Sequence, residues 1–416
     1  MTTTRRFWLK SSGLALAGFT AAPSFLCRAA ALEGKPKRIL VALFQRGAVD
    51  GLNMVAPYFE ERYHELRPNL ALARPGKGDA AALDLDGRFG LHPALEPLLP
   101  HWQDKSLAIV HAVGSPDATR SHFDAQDYME SGVPGDKGVR DGWLNRYLVA
   151  QPQPEPSPLR AVSVSPSTAR SLSGPAPAPA IERVRDFSLG GGRPQVSKAF
   201  EALYGNEGMQ ANKRPIEAEL QDASRTTFDA LRLVEQVRAK PYRPANGASY
   251  PRGRAGERLE QIAQLIKADV GLEIAFADSG GWDTHTNQDI QLNNLLGEMG
   301  QALHAFAVDL GSRMADVLVL TMSEFGRTAR ENGARGTDHG HANAMFALGD
   351  GVQGGKVFGD WPGLSEEALY QGRDLALTTD FRDVFSEALE RHLGLGDSGA
   401  VFPGYKSGVR RGFLEA

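Results

Sequence analysis

Four short apolar runs constrain this chain more than any other feature: 39–44 (ILVALF), 107–113 (LAIVHAV), 272–277 (LEIAFA) and 317–320 (VLVL). Each is too short for a buried helix. Apart from His111 and Glu273, each is also apolar at consecutive positions, as a strand covered on both faces tends to be. Helix-favouring stretches fall between them, at 122–129, 257–268 and 289–310. In the second of these, Leu259, Ile262, Leu265 and Ile266 share one helical face. Strand, loop and helix alternate, which predicts an α/β fold with a parallel-rich central sheet covered on both sides. Pro93, after Leu91 and His92, predicts the start of another helix, since proline suits a first turn.

The middle of the chain departs from this rhythm. Residues 151–180 hold eight prolines, so a strand at 159–164 belongs at a sheet edge rather than its centre. Positions 195–240 are polar and helix-favouring, and 246–254 are turn-rich. Together they read as an insertion over about 151–254 in one domain spanning 32–416.

The N-terminus points outward. Thr4-Arg5-Arg6-Phe7-Trp8-Leu9-Lys10 has the form of a twin-arginine export signal. An apolar stretch over 13–26 follows, shorter than a spanning helix and broken by Pro23, and then Ala29-Ala30-Ala31 as a cleavage site. Residues 1–31 thus read as a signal peptide recognised by the twin-arginine machinery, and the mature protein as periplasmic or secreted, with no transmembrane segment. Removing them leaves 42 Lys and Arg against 50 Asp and Glu, a surface unsuited to nucleic acid. The only cysteine, Cys27, leaves with the signal. Disulfides and zinc–thiolate sites are therefore unavailable to the mature chain.

Oxygen and imidazole donors collect where strands end. Asp50 follows the first run, Asp283 and His285 the third, and Glu324, Asp338, His339 and His341 the fourth. Loops beyond the carboxyl ends of parallel strands form the ligand crevice of an open α/β sheet. Such donors without sulfur suit a divalent metal, zinc or manganese foremost. Asp50 also reads as a turn former, and Glu324 with Arg327 as a local ion pair. Ser121 opens a helix, where free N–H groups favour an anion, and its hydroxyl is a candidate nucleophile. Its spacing to Asp124 equally fits a capping box. Arg120 and Arg46 are candidate anion clamps. His64, His92, His101, His111, His304 and His392 read as structural.

The segments RGAVDGLNMVAPY, TRSHFDAQDYMESG, GGWDTH, SEFGRT and GTDHGHAN, in this order behind a twin-arginine-type N-terminus, resemble a family of exported bacterial proteins. It is known as domain of unknown function 1501 and grouped with the alkaline phosphatase and sulfatase superfamily. The resemblance implies an alkaline-phosphatase-like three-layer α/β fold. It also implies a metal-binding Asp at Asp50, a nucleophile at Ser121 or His122, an Asp–His pair at Asp283 and His285, and a last ligand at His339 or His341. The Asp–His pair expected after the next strand is replaced by Ser323-Glu324. The resulting expectation is a metal-dependent hydrolase acting on a small anionic phosphate or sulfate ester. The alternatives are a catalytically silent envelope protein that uses the fold for binding or assembly, and a protein whose ion is structural.

Overall fold

The computed structural model describes residues 38–187 and 215–415, apart from positions 79 and 409, with backbone alone for 215–225. The export signal expected over 1–31 and positions 195–214 of the helix-favouring stretch lie outside these residues.

Eight strands form one mixed sheet: β1 (Ile39–Gln45), β2 (Leu107–Gly114), β3 (Ala161–Val164), β4 (Ile274–Ser279), β5 (Val317–Met322), β6 (Asn343–Leu348), β7 (Val357–Phe358) and β8 (Thr379–Asp380). Their order is β7-β2-β6-β5-β1-β4-β3, with β8 also paired to β2. Every pairing is parallel except those of β6, which runs against both β2 and β5. The four apolar runs supply β1, β2, β4 and β5, four of the five strands of six residues or more. The register pairs Leu40 with Ile274 on one side and with Leu318 on the other.

Among the described residues, six α-helices of seven residues or more accompany the sheet: α1 (His122–Ser131), α2 (Trp143–Ala150), α3 (Pro215–Arg238), α4 (Arg254–Lys267), α5 (Gln288–Leu310) and α6 (Phe381–Glu387). The parity of β1 explains why helices lie on both faces. Ile39, Val41 and Leu43 join a core with Leu259 and Ile262 of α4 and Leu292 and Leu296 of α5. Leu40, Ala42 and Phe44 join a second core with Trp143 and Leu144 of α2 and Phe381, Val384 and Phe385 of α6. All seven residues of β1 are buried. Covering a large apolar side chain this way stabilises the fold by about 1.5–3 kcal/mol each. A polar substitution at either parity would therefore reach a core.

Some local expectations are corrected. Leu91 ends a two-residue strand, and the helix that starts at Pro93 is a 3₁₀ segment, Pro93–Leu98, capped by the His92 side chain, before it runs on as an α-helix over Leu99–Gln103. Pro97 lies within the 3₁₀ segment and has no N–H to offer an α-type bond. The proline-rich stretch does form an edge strand, β3, two residues shorter than expected at its start. Antiparallel β6 was not foreshadowed, and it matters for the site. Because β6 returns beside β5, the 323–342 excursion between them stays at the carboxyl edge, where the loops after β1, β2 and β4 also emerge. Among the described residues no helix is long and apolar enough to cross a membrane.

Candidate metal centre

Four donors from three loops converge at that edge. His122 comes from the start of α1, Asp283 and His285 from the loop after β4, and His339 from the β5–β6 excursion. The Nε2 of His339 lies 3.0 Å from the Nε2 of His122 and 3.0 Å from that of His285. The Oδ1 of Asp283 lies 3.4, 2.9 and 3.2 Å from the Nε2 atoms of His122, His285 and His339.

The far nitrogen of each ring decides what the near nitrogens can be. His339 Nδ1 faces the Arg120 carbonyl at 2.8 Å, His122 Nδ1 faces Glu324 Oε1 at 2.9 Å, and His285 Nδ1 faces Asp338 Oδ1 at 3.2 Å. Each of these partners is an acceptor, so each Nδ1 carries the hydrogen. Three Nε2 lone pairs and one carboxylate oxygen are then turned on a common point, where they repel unless a cation sits among them. Ligands at 2.0–2.1 Å around a tetrahedral ion stand about 3.3 Å apart, close to the separations among His122, Asp283 and His339; His285 adjoins Asp283 and His339 but stands outside this trio of mutually close donors. Imidazoles whose second nitrogen is held by a carboxylate or carbonyl are the usual form of metal-ligating histidine. The donor set therefore fits a divalent metal.

Close backbone packing makes the convergence possible. A Cβ on Gly47 (φ +120°) would lie 2.5 Å from the Asp283 nitrogen, and one on Gly336 would lie 2.1 Å from the His285 carbonyl oxygen. Both positions need glycine so that the neighbouring loops can press against the 282–286 segment. Arg327, wholly buried, ties the loops together. Its guanidinium donates to the carbonyls of Gly47, Ala48, Trp282 and Thr337 at 2.5–3.2 Å and to Asp283 Oδ1 at 2.7 Å.

Electrostatics follow from these contacts. Burial alone would raise the Asp283 carboxyl, but the Arg327 hydrogen bond and charge outweigh it and hold the group below the usual carboxylate range. Glu324 behaves alike: burial raises it, and hydrogen bonds from His122, Gln126 and the Gly47 N–H bring it lower. The Glu324 contact raises His122, while burial lowers His339. The side chains of Asp283 and His285 are 45% and 39% exposed, against 23% and 25% for His122 and His339. One side of the cluster thus opens to solvent, as a site that admits a substrate must.

Several expected ligands lie elsewhere. The Asp50 carboxylate is buried against Arg67 Nη1 at 2.7 Å and Gln288, and it caps the 51–54 turn, so it is spent on structure. His341 is buried and stacked on Tyr370 with ring centroids 4.3 Å apart, away from the converging donors. Glu324 and Asp338 stand one layer behind, orienting His122 and His285. Glu324 does not pair with Arg327, which reaches Asp283 instead. The Arg120 guanidinium binds Asp374 at 2.6 Å and Gln371, and it serves the site through its carbonyl. Arg46 is held by Asp278, Glu130 and Gln126. Ser121 caps α1 by position, without a side-chain capping bond, while Asp124 turns to Lys137. His122 as a ligand, and Arg327 and Gln126 as supports, were not assigned from sequence. The one available signal was a histidine and a glutamine four residues apart on one helical face.

Fold and site together define a mixed α/β protein with an imidazole–carboxylate cluster at the carboxyl edge of its sheet. The model of the family described as "Protein of unknown function (DUF1501)" matches residues 37–404, and the chain belongs to that family. No curated protein matches it.

Proposed function

We propose that the protein is an exported metal-dependent hydrolase of phosphate or sulfate esters, with His122, Asp283, His285 and His339 holding a single zinc or manganese ion. The observation that carries this reading is the turning of three Nε2 lone pairs and one carboxylate oxygen on one point at an open edge. A bound divalent ion supplies a Lewis acid that polarises an ester oxygen. The alkaline-phosphatase-like architecture and the twin-arginine route belong to the same reading, supported by the motif order and by the two-sided sheet.

The chain's own residues then divide the remaining work. Glu324, Asp338 and the Arg120 carbonyl hold the imidazoles in the tautomer that presents Nε2. Arg327 keeps Asp283 ionised. Of the two candidate nucleophiles, His122 has both ring nitrogens engaged, which favours Ser121. In that step the Ser121 Oγ bonds to phosphorus or sulfur, the bond to the ester oxygen breaks, and the hydroxyl proton leaves with the alcohol. Water then cleaves the serine ester and releases phosphate or sulfate. The N–H groups opening α1 lie where developing negative charge is stabilised.

Elemental analysis of the purified mature protein, beside a panel of aryl and alkyl phosphate and sulfate esters, tests the proposal. It expects about one metal per chain, and at least a hundredfold loss of turnover in Ser121→Ala with metal retained. A metal-replete preparation with no bound ion and no turnover sinks it.

A further inference from the structure

A cavity of about 320 Å³ abuts the cluster, and Asp338 is their common wall. On the cluster side, Asp338 Oδ1 faces His285 Nδ1 at 3.2 Å. On the other side the cavity is lined by three arginines, Arg62, Arg330 and Arg373.

Three acids, Glu331, Asp338 and Glu366, also line this cavity, so what distinguishes its groups is which of them are already engaged. Glu331 is spent on the N–H groups of Asn69 and Leu70, at 3.0 and 2.9 Å. Asp338 is spent on His285 and Asn332. Glu366 remains, exposed at the rim. Arg62 pairs with Glu65 at the surface. The Arg330 guanidinium, in contrast, has no partner among the described residues. Arg373 lies 3.5 Å from Asp374, a carboxylate already bound by Arg120 at 2.6 Å, and its charge also acts on Asp338. Two guanidinium groups therefore stand beside the cavity with unused donors. Their forked geometry suits a carboxylate, phosphate or sulfate.

We propose that this cavity is a subsite for a second anionic group, carried on the alcohol part of the ester that the metal cluster takes. The inference rests on the ester-hydrolase reading and narrows it to substrates with two anionic groups separated by a short linker. Arg330 and Arg373 are the residues that recognise the distal group.

The test compares propane-1,3-diol bisphosphate with n-propyl phosphate, a pair that differs only in the distal phosphate group. Binding to metal-replete protein is followed by calorimetry, with turnover left aside. A charge-assisted contact predicts that the bisphosphate binds tighter by on the order of tenfold. In Arg330→Ala, and in the Arg330→Ala/Arg373→Ala pair, that ratio falls towards one while metal content stays at wild-type level. Equal binding of both probes to the wild type overturns the subsite and leaves the ester reading standing. So does a ratio that survives the double substitution. Failure of n-propyl phosphate and the bisphosphate alike to bind protein that carries its metal defeats the phosphate-ester reading and the subsite with it.

Discussion

Asp50 and Asp283 make an instructive pair. Both follow the carboxyl end of a parallel strand, and both accept a 2.7 Å hydrogen bond from a buried arginine, Arg67 for one and Arg327 for the other. Asp50 is 1% exposed, with Gln288 and the Asn53 N–H taking up the rest of its carboxylate. Asp283 is 45% exposed and leaves Oδ1 turned towards three imidazoles. Identical chemistry thus becomes a structural ion pair or a candidate ligand according to how many of its lone pairs the surroundings use up.

The contrast breaks most visibly on substitution. Asp50→Ala strands a buried arginine, and chemical denaturation is expected to show a loss of about 3–5 kcal/mol with metal content of the folded protein unchanged. Asp283→Ala also takes a carboxylate from a buried arginine, Arg327, and is told apart by its metal: content falls from about one per chain to near zero. Metal lost from the Asp50 variant and kept in the Asp283 variant would invert the assignment.

Glu324→Gln probes the layer between the two regimes, where a fully buried acid supports an open ligand. Loss of the carboxylate behind His122 is expected to weaken metal affinity by about 10–100-fold in a chelator competition. An unchanged affinity would make Glu324 a packing residue alone.

The smallest effect concerns histidines that resemble Asp50 rather than Asp283. Burial pushes His92, His111 and His392 each down to about 4. Their imidazoles stay neutral in the folded chain while the unfolded chain takes up protons from about pH 6.5 downward. Stability is therefore full above pH 6.5 and falls as pH drops towards 4, by roughly 1.4 kcal/mol per pH unit for each residue. His111 is the sharpest case, since its Nδ1 accepts from the Ala112 N–H at 2.8 Å and a proton there would oppose that hydrogen. His111→Gln should remove one histidine's share of the slope of unfolding free energy between pH 6 and 4.5. A slope as steep as wild type would refute that account of His111.

Much of the sheet was legible because a strand buried on both faces is apolar at most positions in succession, and β1, β2, β4 and β5 each hold such a run. Strand β6 was not, since its six residues follow directly on a polar loop that drew attention to its histidines instead. The site was legible as a set of residue types at strand ends. Asp283, His285 and His339 converge as that pattern suggested, and Glu324 and Asp338 lie close behind them. Asp50 and His341 carry the same chemistry in the same kind of loop and do not. The resemblance pointed to His122 only as a nucleophile; the direction of its ring depends on Glu324, 202 residues away, which spacing along the chain does not carry.

The amino-acid order by itself determined which segments must be strands, because apolar periodicity is local, and which donors were available to an ion. Only the tertiary structure decided which of those donors meet. That choice depends on β6 running back beside β5, on glycines that let loops touch, and on which lone pairs remain free after burial. None of these is a property of neighbouring residues.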